Sequence, residues 1–297
     1  MEKEIDYSNS EEVFMPKASI IIPTYNEEIY IGKVINAILK QTVQDFELII
    51  IDDCSTDKTS QIINSYKDGR ITYLKNNTNL GVSWSRNIGI EHANGEYIFF
   101  IDADCLPLIN LIESGLKSLE NNEYAVGAYG KVKYATSIVS ISDRIVEFEN
   151  EICGGNMVFK KKVLKLVKGM SQEMIAQEDR DFAFRIRKYG EVIFSEDMIV
   201  IHQRKLHTKK TLFEDAKRAK NMVYFIIDHQ DYSNANLYRR ILYPKKLLIA
   251  LFPILIILGY SIRGWRDVTI ACWMYIALWY MRFIIWRSAI ENRVFLI

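Results

Sequence analysis

Asp102 and Asp104 stand one residue apart, directly after the apolar run Tyr97, Ile98, Phe99, Phe100 and Ile101. Side chains alternate along a strand, so two carboxylates separated by one residue leave its end on the same side. Such a pair can hold a hard divalent cation through oxygen ligands. Two solvated loop aspartates are the plain alternative, because an Asp-x-Asp string arises often by chance. Asp52 and Asp53, which close the apolar run at 46–51, supply a second acidic strand end. Pro23, Thr24, Tyr25, Asn26 and Glu27 form a third polar group after the run at 18–22.

These side chains need a scaffold that gathers strand ends. From residue 18 to about 104, short apolar runs (18–22, 46–51, 71–74 and 97–101) alternate with stretches of helical periodicity (27–40, 56–66 and 82–92). That alternation predicts a βαβα chain, a mostly parallel sheet covered by helices. In such sheets ligands bind beyond the carboxyl ends of the strands. Past residue 119 the pattern is less regular. It predicts strands near 124–134, 156–159 and 198–201 and a helix over 177–188.

Composition narrows the function classes. The chain of 297 residues is 49% hydrophobic and 25% charged, with 14 glycines and 5 prolines, which excludes a disordered or collagen-like protein. Seven basic and two acidic side chains give residues 241–297 a net charge of +5; within a chain total of +1, the first 240 residues therefore carry −4. A mildly acidic body joined to a basic, hydrophobic tail argues against nucleic-acid binding and for contact with an anionic membrane surface. Cys54, Cys105, Cys153 and Cys272 match neither a zinc spacing nor a redox pair and read as reduced thiols. Residues 1–12 are polar and acidic, which predicts a body that stays in the cytoplasm.

The tail itself holds two apolar runs, 247–262 of 16 residues and 268–286 of 19 with Arg282 its one charge. As helices they would be ~24 and ~28 Å long against a hydrocarbon core of about 30 Å. Their basic flanks put both outer ends on the cytoplasmic side, although Arg263 and Arg266 in the connecting loop blunt that rule. A buried helical hairpin in a soluble protein is the alternative. Upstream, residues 208–227 read as a basic amphipathic helix suited to lying on a bilayer or against the body.

Six ordered blocks carry a resemblance: SIIIPTYNE (19–27), ELIIIDDCSTDKT (47–59), NLGVSWSRNIGI (79–90), YIFFIDAD (97–104), GGNMVFKKKVL (154–164) and QEDRDFAFRIRKYG (177–190). Together they resemble the family-two glycosyltransferases with a GT-A fold, over roughly residues 19–202. No glycine-rich dinucleotide fingerprint or phosphate loop competes. The resemblance implies an α/β fold, a Rossmann-like mixed sheet flanked by helices, over 1–205. Amphipathic interface helices (206–240) and a transmembrane hairpin (241–297) are expected to follow.

Position by position, the resemblance implies that Pro23, Tyr25, Glu27 and Asp53 line a nucleotide pocket, with Asp53 meeting the base or ribose. Arg86 would help hold the nucleotide end. Asp102 and Asp104 would bind Mg2+ or Mn2+ bridging the donor diphosphate, since a metal stabilises the charge that develops on the leaving group. A turn proline, a core tyrosine and helix-cap acids are the competing readings. Asp179 would be the general base and Glu178 a neighbour that orients it or the acceptor; both could equally be acids favoured by a helix N-terminus. His202 could join the metal or diphosphate site. Lys217 or Arg218 could reach the diphosphate, in place of the Gln-x-x-Arg-Trp block of the cellulose-synthase-like enzymes, whose glutamine and tryptophan are missing.

The expected activity is an inverting transfer of mannose or glucose from GDP-mannose or UDP-glucose to a lipid-linked acceptor at the cytoplasmic membrane face. A polyprenyl-phosphate sugar synthase, resembling dolichol-phosphate mannose synthase, is the rival. A phosphate acceptor is already ionised and needs no base, so Asp179→Asn separates the two. A non-catalytic nucleotide-binding membrane subunit is the third reading.

Overall fold

The structure is a computed structural model that describes residues 15–135, 154–172 and 178–203, together with Ile276, Trp279, Tyr280, Phe283, Ile284 and Arg287. The chain divides into two compact units, one of residues 1–135, 142–169 and 183–203, the other of 136–141, 170–182 and 204–297.

The first unit is built on β1 (Ala18–Thr24), β2 (Phe46–Asp52), β3 (Ile71–Lys75), β4 (Tyr97–Phe100), β5 (Cys105–Pro107), β6 (Ala125–Ala135), β7 (Met157–Lys160) and β8 (Glu191–Gln203). They form one sheet in the order β3-β2-β1-β4-β7-β6-β8-β5. β3, β2, β1 and β4 are parallel neighbours. β7 then runs antiparallel to β4 and to β6, β8 lies parallel to β6, and β5 antiparallel to β8. The expectation of a mostly parallel sheet therefore holds for the first half; the second half makes the sheet mixed.

Burial explains the elements. Every residue of β1 and β4 is buried, which is why they read as unbroken apolar runs. β3, at the edge, is only partly covered, and its ITYLK sequence alternates accordingly. Six helices are described: α1 (Ile31–Leu39), α2 (Thr59–Asn64), α3 (Val82–His92), α4 (Leu111–Glu120), α5 (Lys161–Leu166) and α6 (Glu178–Ile186). α4, α5 and β5 have no counterpart in the sequence reading. α4 nonetheless carries an apolar stripe of Leu111, Ile112, Leu116 and Leu119, with Gly115 directly against the Phe99 ring.

α3 departs from an ordinary amphipathic helix. Its buried face is Ser83, Ser85, Arg86 and Gly89. A Cβ on Gly89 would lie 2.5 Å from Ile21 Cγ2 and 3.0 Å from Ile51 Cδ1, so the helix sits close on the sheet. Close docking by small side chains leaves the long one, Arg86, to run beneath the helix at 2% exposure.

Residues 178–182 of α6 belong to the second unit and 183–186 to the first. In the second unit Met170 and Phe182 are buried. Among the described residues no helix is long and apolar enough to cross a membrane. The amphipathic segment 206–240, and the tail 241–297 apart from the six residues named, lie outside the described residues.

The parallel half also predicts an acid response. Burial pushes the Asp52 carboxyl up, but hydrogen bonds from Ser55, Ser60 and Tyr73 outweigh it and hold the group below its ordinary 3.8. Asp57 is held down in the same way by Thr59 and Glu28, and Asp68 to about 2 by Arg70. A carboxyl depressed in the folded state stabilises above its unfolded value and loses that contribution as pH falls through the folded one. Urea midpoints are therefore expected to drop between about pH 4 and pH 2, with a shallower drop in Asp52→Asn. Identical acid slopes in the two proteins would remove Asp52 from this account.

Candidate active site

The loops after β1 and β2 are tied to one another at the carboxyl rim, where Thr24 pairs with Asp52. Asn26 (φ 55°) and Cys54 (φ 67°) turn through left-handed backbone. The Asn26 amide donates to Ser55 Oγ at 3.0 Å, and Asn26 Oδ1 accepts from the Thr56 amide at 2.8 Å. The Glu27 amide donates to Thr59 Oγ1 at 2.8 Å, while Glu28 exchanges bonds with Asp57 and the Lys58 amide. Tyr25 stands 46% exposed at this rim, Glu27 is half-buried and Pro23 is buried within β1.

Asp53 is a fastening point. Its carboxylate accepts from Asn76 Nδ2 at 2.8 Å, the Leu80 amide at 2.8 Å and the Gly81 amide at 2.7 Å. These bonds fold the segment 76–81 onto the rim and deliver the chain into α3. Asp52, its neighbour, is wholly internal and holds Ser55, Ser60 and Tyr73. The two adjacent acids thus serve different purposes: Asp52 braces the sheet, and Asp53 shapes the loop over 76–81.

Asp102 and Asp104 are not presented by strand alternation. β4 stops at Phe100, and the two acids lie on a turn closed by the Cys105 amide donating to Asp102 O at 2.9 Å. The turn gives them separate partners. Asp102 Oδ1 accepts from Arg86 Nη2 at 2.6 Å, an ion pair between a guanidinium 2% exposed and a carboxylate 31% exposed. Asp104 instead faces His202, with Nε2 3.8 Å from Oδ2, and its carbonyl accepts from the Gln203 amide.

Pairing of β5 with β8 sets Cys105 opposite His202. One ligand atom each from Asp104, Cys105 and His202 lies within 4.8 Å of the others. Gly155 forms the adjoining wall: a Cβ there would lie 2.8 Å from Asp102 Oδ2 and 2.9 Å from Cys105 Sγ. A Cβ on Gly154 would likewise lie 2.5 Å from Arg86 Nη2. Asp102 therefore borders the three-residue group, and the glycine pair keeps the space between them clear. The carboxylates suit Mn2+ or Mg2+, and the imidazole and thiol beside them suit softer cations, so the donor set fits a divalent cation. Gly155→Ala is expected to cost about 1–3 kcal/mol by overpacking, measured as a lower urea midpoint at unchanged slope.

The structure thus brings Asp102, Asp104 and His202 together and places Arg86 behind Asp102. Pro23, Tyr25, Glu27 and Asp53 lie in or beside the two tied loops. Glu178 and Asp179 are half-buried in the first turn of α6, with Asp181 beside them, an acidic turn that complements the helix dipole. Lys217 and Arg218 lie outside the described residues. Sequence reasoning missed Asn76, Cys105 and Gly155. The GGNM block held the glycines in view without a reason for them, and Cys105 directly follows the acidic pair.

Residues 19–172 match the family described as Glycosyl transferase family 2. The chain belongs to that family. A relative in Methanocaldococcus jannaschii, the uncharacterized glycosyltransferase MJ1057, is 31% identical over 251 residues, covering 72% of this chain and 85% of its own length. An uncharacterized glycosyltransferase of Haemophilus influenzae is 44% identical over 110 residues, 36% of this chain and 44% of that protein. The family-2 chain thus spans less than half of that Haemophilus relative. In fold it is similar to the mannosyltransferase PcManGT of Pyrobaculum calidifontis, solved with GDP-Man and Mn2+, at TM-score 0.66 and 16% identity over 92% of this chain and 88% of that one. It also resembles residues 1–349 of Staphylococcus aureus TarS with UDP-GlcNAc, at TM-score 0.56 and 17% identity over 95% of this chain and 93% of that one.

Proposed function

We propose that this family-2 glycosyltransferase moves a hexose, mannose from GDP-mannose ahead of glucose from UDP-glucose, to a lipid-linked acceptor with inversion at the anomeric carbon. The observation that carries the reading is the group of Asp104, Cys105 and His202, bordered by Asp102, at the rim of a family-2 sheet. GDP-Man and Mn2+ in a protein of similar fold support the choice of donor and metal.

Asp102, Asp104 and His202 would hold Mn2+ or Mg2+, which when bound neutralises charge on the departing diphosphate. Arg86 orients Asp102 through their 2.6 Å ion pair. Tyr25 and the loop fastened by Asp53 form the wall against which the nucleotide lies. Asp179 takes the proton of the acceptor hydroxyl as that oxygen attacks from the face opposite the leaving group, which inverts the sugar. A single displacement needs no protein nucleophile.

The acceptor and the setting rest on the tail. Its net +5 charge, its two apolar runs and the basic segment 208–227 support a multi-pass attachment to the cell membrane with the catalytic body in the cytoplasm. Purified protein in detergent, given radiolabelled GDP-mannose or UDP-glucose, Mn2+ and a membrane lipid extract, is expected to pass label into the organic phase. Chelation of the metal should stop it. Turnover of neither donor, with the fold intact, would overturn the reading.

A further inference from the structure

Resting on the metal-dependent reading above, we propose that Cys105 makes this cation site thiophilic. Zn2+ or Cd2+ is taken through Asp104, Cys105 and His202 in preference to Mn2+ or Mg2+. Cys105 is 0% exposed, opens β5 and is held in register with His202. Its Sγ lies 3.8 Å from Asp104 Oδ1 and directly beneath Gly155.

The three ligand atoms span no more than 4.8 Å, a distance that two metal bonds of about 2.0–2.3 Å nearly bridge. The chemistry of the donors then sets the preference. Carboxylates alone favour Mg2+ and Mn2+; an imidazole shifts affinity toward Zn2+, and a thiolate shifts it further toward soft cations. Binding of such a cation releases the thiol proton to solvent. A buried cysteine remote from the acids would act only as a small apolar side chain. Here the sulfur is part of the wall of the cation site, and neither the Asp-x-Asp spacing nor any cysteine pair discloses it.

The test uses the full chain in two forms, one keeping Cys105 as its sole cysteine (C54S, C153S and C272S together) and one adding Cys105→Ser. Each is titrated with Cd2+ alone, following the ultraviolet sulfur-to-cadmium charge-transfer band, and separately with Mn2+. The form that keeps Cys105 is expected to show the band. Cys105→Ser should abolish it and weaken Cd2+ at least about tenfold relative to Mn2+, since even an outer-shell change around a metal costs 10- to 100-fold. A band that survives Cys105→Ser, or none in the Cys105 form at Cd2+ concentrations that displace Mn2+, overturns the proposal. Should the serine form not fold, cadmium NMR of the Cys105 form decides: a sulfur-ligated shift supports it, and an oxygen and nitrogen shift overturns it. No sugar donor enters these measurements, so an inactive protein that binds Cd2+ through Cys105 would sink only the transferase reading.

Discussion

Asp104→Asn is expected to lower metal-dependent sugar transfer at least about 10²- to 10³-fold, the range seen when one electrostatic stabiliser of developing charge is removed. The substitution keeps the shape of the side chain and removes its charge, which isolates electrostatics from packing. Asp102 is a poorer probe, because its loss would also remove the 2.6 Å ion pair to the Arg86 guanidinium, itself 2% exposed. Loss of that pair would confound activity with folding. Asp104 faces His202 at 3.8 Å, without a bonded guanidinium of the Arg86 kind in that pair. The companion measurement is thermal stability with and without Mn2+. A ligand that binds the native state raises apparent stability, and that rise should shrink in Asp104→Asn. Transfer within threefold of the parent, with the same Mn2+ response, would take Asp104 out of the cation site.

Asp179→Asn carries the second large expected effect, a fall of about 10²- to 10⁴-fold in turnover that far exceeds any loss of stability read from the urea midpoint. A hydroxyl acceptor must lose a proton as it attacks, and amide nitrogen cannot accept it. Asp179 stands in the first turn of α6 with Glu178 and Asp181, where an acid also eases the helix dipole. A purely structural acid would show the reverse pattern, a small loss of stability and intact turnover. Retained transfer with a polyprenyl-phosphate acceptor, together with an intact fold, would identify an acceptor that is already ionised. Glu178→Gln provides the internal comparison, with a smaller loss expected under the proposed orienting role.

Much of the frame was legible because burial on both faces of a parallel strand leaves a long apolar run. β1, β2 and β4 announce themselves in this way, and the acids that follow them mark the rim. The antiparallel half was less legible. β5 has three residues, too few for a period, and is a strand only because β8 pairs with it. α4 went unread although its apolar stripe was present, because Gly115 and Ser114 interrupt it; the glycine is there to admit the Phe99 ring.

Local chemistry set by residue type could be read directly from the sequence: an acidic pair after a buried strand, a second pair at Asp52 and Asp53, and six blocks in family order. Partnership could not. Arg86 meets Asp102 because α3 docks through Ser85 and Gly89, and His202 meets Asp104 because β8 runs beside β5. Asp52 and Asp53 are alike as neighbours in sequence, yet one points into the sheet and the other captures the amides of Leu80 and Gly81. Sequence encodes propensity and charge one position at a time. Hydrogen bonds and ion pairs form across separations that only the folded sheet makes short, and so the identity of each acid's partner belongs to the tertiary structure.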